Sequence, residues 1–171
     1  MPKKIRAYSK TGVNFAASQA QINKLLNEHE IYDIQYTTIS HDTATASGLE
    51  MERGTQAIML VFQKHITLDN GQGGNIPVRV VVPNVSPDKL NQYYRLLYWY
   101  VKTKFEAIDS GLVEFAEEFM AHLQISDKHG IGRLWDRFKR GFYKTVGSGE
   151  MPDANLLPGF TEPEKGDDGR L

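Results

Sequence analysis

Residues 93–123, YYRLLYWYVKTKFEAIDSGLVEFAEEFMAHL, constrain the fold more than any other part of the chain. Together with Leu90 just upstream, Tyr93, Tyr94, Leu97, Val101, Phe105 and Ile108 recur at helical spacing and share one face. Leu96, Trp99 and Tyr100 carry the apolar surface round towards the back. A helix apolar nearly all round is buried between layers. Ser86-Pro87-Asp88 supplies its start: a cap residue, proline at the first helical position and an acid in the first turn. The pattern predicts one long central helix that turns Leu97, Val101 and Phe105 towards a sheet, with later helices over its far side. Gly111 breaks or kinks it. Leu112, Phe115, Ala116, Phe119 and Leu123 then restart an apolar stripe, with Glu114, Glu117 and Glu118 turned away.

Upstream, Ser18 and Gln21 have the spacing of a capping box, and Ile22, Leu25, Leu26 and His29 follow at helical intervals. A short amphipathic helix to about Glu30 is expected. From Ile31 to Ile39 the residues are β-branched and aromatic, which predicts a strand. Residues 41–54 lack periodicity and suggest a loop. Residues 56–68 form a second predicted strand, whose apolar centre at 58–62 implies burial on both faces. Residues 69–75, DNGQGGN, are a hairpin turn. A third strand at 76–82 is expected to close at Pro83, which cannot donate to a ladder.

Beyond the second apolar stripe, residues 126–132 suggest a turn. A third helix is expected to bury Ile131, Leu134, Trp135, Phe138 and Phe142. After Gly147 the chain is polar, Pro/Gly-rich and acidic, with Glu150, Asp153, Glu162, Glu164, Asp167 and Asp168. Such a composition predicts a largely disordered tail. The expectation is therefore an α+β domain over residues 1–147 and a tail over 148–171. The domain would be a small antiparallel three-stranded sheet covered by a long central helix and further C-terminal helices.

The 171 residues suffice for one domain with a true core. Absence of cysteine excludes disulfides, thiolate metal sites and a cysteine nucleophile. The N-terminus has basic residues without a following apolar stretch, so no secretory signal is expected. The apolar run around residues 96–101 is too short to cross a bilayer. These features predict a soluble, cytoplasmic protein, in the bacterial host cytoplasm if the chain belongs to a phage, with no membrane partner.

One resemblance emerges from Lys102-Thr-Lys-Phe-Glu-Ala-Ile-Asp-Ser-Gly111, from Phe115-Ala-Glu-Glu-Phe-Met-Ala-His122, and from Leu156-Leu157-Pro158. These blocks resemble a family of small phage and mobile-element proteins that carry Lys-x-Lys-Leu-Glu-Ala-Val-Glu-x-Gly and Phe-Glu-Glu-Glu-Phe-Leu-Ala-His. The resemblance implies a mobile-element origin and no particular activity. The chain departs from it at Ala116, where the family has a glutamate, and at Glu114, where it has a small hydroxyl residue. Both departures weaken a role for a three-carboxylate cluster.

Candidate chemistry is sparse. Glu114, Glu117, Glu118 and His122 invite a metal or acid–base reading, and residues 118 and 122 are a helical turn apart. A divalent site needs at least three converging ligands, however, and the spacing predicts a solvated helix face. His41, Asp42, His65 and His129 are scattered over different elements. The glycines at 71, 73 and 74 lack the lysine and the following helix of a phosphate-binding loop. No cofactor and no metal are expected.

Basic residues are more informative. Arg133, Arg137, Arg140 and Lys144 would form one stripe on the predicted third helix, with Lys128 and Lys139 adding charge and Asp136 opposing it. Such a stripe can neutralise a phosphate backbone, or can simply be the solvated face of an amphipathic helix. Trp99, between Arg95 and Lys102, and Tyr143, beside Lys144, supply rings on which bases can stack. A sheet under one long helix is also the core plan of single-strand annealing proteins, a fold-level analogy. The leading expectation is a non-catalytic protein that binds nucleic acid, single-stranded DNA first. It would act through Arg95, Trp99, Lys102, Arg133, Arg137, Lys139, Arg140 and Lys144. The acidic tail would compete for those charges or recruit a protein partner. The alternative is an adaptor or inhibitor that docks through exposed aromatics and residues 156–160. A metal-dependent nuclease built on Glu117, Glu118 and His122 ranks below both.

Overall fold

The computed structural model describes residues 7–8, 10–46, 49–67, 71, 73–127 and 130–135. The 148–171 tail, the tip of the 69–75 turn at 69, 70 and 72, Lys128, His129 and everything beyond Trp135 lie outside the described residues. The fold is α+β. Its first helix, α1 (Phe15–Glu28), is capped by Asn14, whose Oδ1 accepts the Ala17 amide at 2.8 Å. The expected cap, Ser18, instead lies inside the helix and is fully buried. Asparagine caps as well as serine does, so the helix begins one turn earlier. At its end Glu30 adopts φ +61°, and the Ile31 amide bonds back to the Leu26 carbonyl. Ile31 is thereby fully buried and precedes the strand rather than opening it.

Three strands follow: β1 (Ile34–Ser40), β2 (Gln56–Thr67) and β3 (Gly73–Val85). They form one antiparallel sheet in the order β1-β2-β3. Ile58, Leu60 and Phe62 of β2 are fully buried, whereas Met59 and Val61, on the opposite face, are only half-buried. The expected burial of both faces therefore holds on one side alone. Between β1 and β2 the predicted loop contains a short helix, α2 (His41–Ala46), in which Ala44 is buried. Six residues are too few to show a helical period.

Strand β3 does not stop at Pro83 but runs to Val85. Two features permit this. β3 is an edge strand, where a missing N–H is tolerated. Pro83 and Asn84 also sit in a bulge, because Ile58 pairs with Val82 while Gln56 pairs with Val85. Asn84 takes the positive φ of +58° that the bulge requires, and its Oδ1 accepts the Glu52 amide at 2.8 Å. The strand likewise begins at Gly73, inside the predicted turn.

After a 3₁₀ turn at Pro87–Lys89, α3 spans Leu90–Asp109. Tyr94, Leu97, Val101 and Phe105 are buried in a core with Ile22, Leu26, Phe62 and Val80, as their shared face predicts. α3 packs against α1 and β3. It ends at Gly111, whose φ of +73° suits a glycine C-cap, with the Leu112 amide bonded back to the Ala107 carbonyl.

The C-terminal part departs most from expectation. The stripe restarted at Leu112 gives only one turn of helix, α4 (Phe115–Glu118), then a 3₁₀ turn at Met120–His122. One turn is enough to bring Phe115 against Phe119 in a tilted pair at 4.8 Å and to set Phe119 edge-on to Phe62 at 5.7 Å. The predicted 126–132 turn is largely a hairpin of β4 (Gln124–Asp127) and β5 (Gly130–Arg133). Ile131 and Arg133 are therefore strand residues, and the predicted helix containing them is replaced there by β5. Only Leu134 and Trp135 are helical within the described residues. Among those residues no helix is long and apolar enough to cross a membrane.

Candidate functional site

Two flanks of α3 carry the chemistry of this fold. Residues 95, 99 and 102 line one side, and residues 93, 96 and 100 lie about a third of a turn round.

On the first flank the arrangement is cationic and aromatic. The Arg95 guanidinium sits 4.7 Å from the Tyr98 ring centre and 5.3 Å from that of Trp99. Lys102 Nζ lies 4.9 Å from the Trp99 ring. Both cations are steadied by neighbours. Arg95 donates to Gln21 Oε1 on α1, and Lys102 pairs with Glu106 at 3.2 Å. Trp99 is half-buried, and among the described residues its buried Nε1 has no hydrogen-bond partner. The helix thus brings together Arg95, Trp99 and Lys102, as their spacing predicts.

Arg133 does not join them. It lies on β5, and its charge acts on His122, on the other flank of α3. The helical stripe expected to begin at Arg133 therefore does not begin there. Arg137, Lys139, Arg140 and Lys144 lie outside the described residues.

The second flank is an apolar groove of about 440 Å³ between α3 and the outer edge of β3. Val80, Val82, Tyr93, Leu96 and Leu97 form its walls, and Tyr100 and His122 close one end. The Tyr100 hydroxyl and His122 Nε2 share a hydrogen bond. Burial pushes the imidazole down to about 4, helped by the charges of Lys104 and Arg133; the main chain of Arg79 opposes the shift in part. His122 is accordingly neutral at physiological pH.

The carboxylate cluster resolves differently from its expected solvated face. Glu117 is exposed, but Glu118 is drawn against α3, its Oε1 2.7 Å from Lys104 Nζ. His122 is turned into the groove. The helix that would have aligned the two ends at Glu118. Among the described residues no group of three histidines or acids converges as a metal site.

The groove is hidden from a sequence reading because it needs an edge strand and a helix from distant segments. Two signals bear on it: the apolar Leu96 and Tyr100 outside the core face, and Pro83, which marks an edge strand. No family model, curated protein or solved structure matches the chain.

Proposed function

We propose that the protein binds nucleic acid, single-stranded DNA in the first instance, without catalysing a reaction on it, during replication or recombination of a phage-like or mobile element. The observation that carries this reading is the Arg95–Trp99–Lys102 cluster. Single strands are held by rings on which bases stack and by cations that track phosphates. Trp99 provides a partly exposed ring, with Arg95 and Lys102 within 5.3 Å of its centre. Arg137, Lys139, Arg140 and Lys144 add basic charge in the sequence that follows, and the acidic 148–171 segment supplies charges that compete for them. The mobile-element origin rests on the resemblance of residues 102–122.

The test is a gel shift with labelled single- and double-stranded DNA at two salt concentrations. Retardation that weakens steeply with salt and favours the single strand supports the reading, because each neutralised phosphate adds about 0.7 to the log–log slope on single strands. Wild-type protein that retards neither DNA nor RNA at low salt ends it.

A further inference from the structure

The two edges of the sheet are built differently. β3 carries Pro77, Arg79 and Pro83, a bulge opposite Gln56 and Ile58, and a bridge from Val78 to Leu123. Proline, charge, bulges and a covering segment are the devices that keep an edge from pairing with another chain. Among the described residues β1, at the other edge, has none of them and no strand beside it. Its sequence, IQYTTIS, contains no charge, proline or glycine, and its register with β2 runs unbroken over all seven residues. Alternate residues of such an edge turn N–H and C=O outward.

The helix layer above this edge is uncharged as well. The Tyr36 hydroxyl of β1 donates to Asn23 Oδ1 of α1 at 2.8 Å, which sets one flank of α1 over β1. Ala16, Ala20, Asn23 and Asn27 form that flank, at intervals of four, three and four. It is turned away from Gln21, which meets α3 through Arg95. Ala16, Ala20 and Asn27 are exposed. Ala20, Asn23 and Asn27 line a shallow hollow, rimmed by Lys24 and Glu28, which pair with each other at 3.9 Å.

Both layers are complementary to themselves. A two-fold axis through Thr37, perpendicular to the sheet, sets β1 antiparallel to its own copy. All seven residues then pair: Ile34 with Ser40, Gln35 with Ile39, Tyr36 with Thr38, and Thr37 with its own copy. No like charges meet, and just beyond the strand ends Asp33 comes opposite His41 rather than another acid. The same axis runs α1 antiparallel to its copy along the small-residue flank, where two helices can approach to about 8–10 Å.

We infer that β1 and this flank of α1 form the interface between two copies of the chain, joining two three-stranded sheets into one of six strands. Such a contact uses the same patch on both copies and closes on itself, so assembly stops at a dimer. The axis keeps both helical layers on one face of the joined sheet. Each dimer therefore presents two Arg95–Trp99–Lys102 clusters on that face.

The experiment uses the full chain. Sedimentation equilibrium should show a monomer–dimer equilibrium, mostly dimer at about 100 μM protein. The chain lacks cysteine, so Thr37→Cys reports the axis alone. Directly opposed residues of an antiparallel pair lie about 4.5–5.5 Å apart, within disulfide reach. Mild oxidation should cross-link Thr37→Cys into a covalent dimer and leave Gln63→Cys, an exposed position on β2, monomeric. Thr37→Lys should make the chain monomeric with an unchanged circular dichroism spectrum, because like charges then face each other at the axis. Ala20→Glu should raise the dimer Kd about tenfold or more. If Thr37→Lys unfolds, the two cysteine variants remain decisive. A monomer at about 100 μM overturns the inference. So does a dimer that survives Thr37→Lys, or equal cross-linking of the two cysteine variants. In amide exchange the outward N–H groups of β1 should lose protection on dilution. Protection that persists in a monomer assigns the edge to the chain's own residues and also overturns the inference. Because each Arg95–Trp99–Lys102 cluster lies within one copy, failure here leaves the nucleic-acid reading standing, and the converse holds.

Discussion

Lys104 Nζ holds Glu118 at two points, 2.7 Å from the carboxylate Oε1 and 2.8 Å from the main-chain carbonyl. Glu118 is the last residue of α4, so its carbonyl is one of those that a helix end leaves without a partner. The ammonium also lies over the rings of Tyr100 and Phe119. One cation thus joins α3 to the turn that seats Phe119 in the core and His122 at the end of the groove. Lys104→Met should cost about 1.5–3 kcal/mol, as for hydrogen bonds to charged groups with little exposure. Glu118→Gln should cost less, since the main-chain bond survives. Urea denaturation of both variants checks the ranking, and equal losses would contradict it.

Leu97 is 2% exposed, at the centre of the face that α3 turns to the core. Leu97→Ala should lose about 2–5 kcal/mol from reduced burial and the cavity left behind. A loss under about half a kcal/mol, typical of surface changes, would mean that this face is placed wrongly.

His122 makes a pH prediction with a definite sign. Its folded pKa is held near 4 against an ordinary value of 6.5, so the unfolded chain binds the proton more readily. Its contribution to stability is fully present above about pH 6.5 and is lost progressively as pH falls towards 4. The groups around it are Tyr100 and Lys104 from α3, Arg133 from β5 and the Arg79 main chain from β3. Unfolding free energies across that window should fall more steeply for wild type than for His122→Gln. Identical slopes would show that the imidazole is not held neutral by its surroundings.

The parts of this fold legible in the sequence are those where a long segment repeats one period. The twenty residues of α3 show their buried face, and the β-branched run at 34–40 shows its strand. Legibility fails where tertiary contacts decide. Phe115 and Phe119 have helical spacing, but one turn already brings both rings to Phe105, so nothing requires the helix to continue. Residues 130–132 look like a turn because two glycines dominate them, and Ile131 and Arg133 fit the stripes of a following helix, whereas pairing with residues 124–127 makes residues 130–133 a strand. The same limit divides the candidate site. Arg95, Trp99 and Lys102 share one helix, so their spacing alone brings them together. Arg133 belongs to that basic surface only through a helix that the β4–β5 hairpin replaces.

Trp99 lies between the two cations of the cluster, so its fluorescence reports the nucleic-acid claim most directly. In a Trp135→Phe background it is the sole tryptophan. Titration with an oligothymidylate at low salt should quench it to saturation. Arg95→Glu with Lys102→Glu should weaken binding and lower the log–log salt slope by about 0.7 for each phosphate no longer neutralised. No quenching and no binding at low salt, or a double variant that binds as tightly as its parent with the same slope, would contradict the assignment of this surface to nucleic acid.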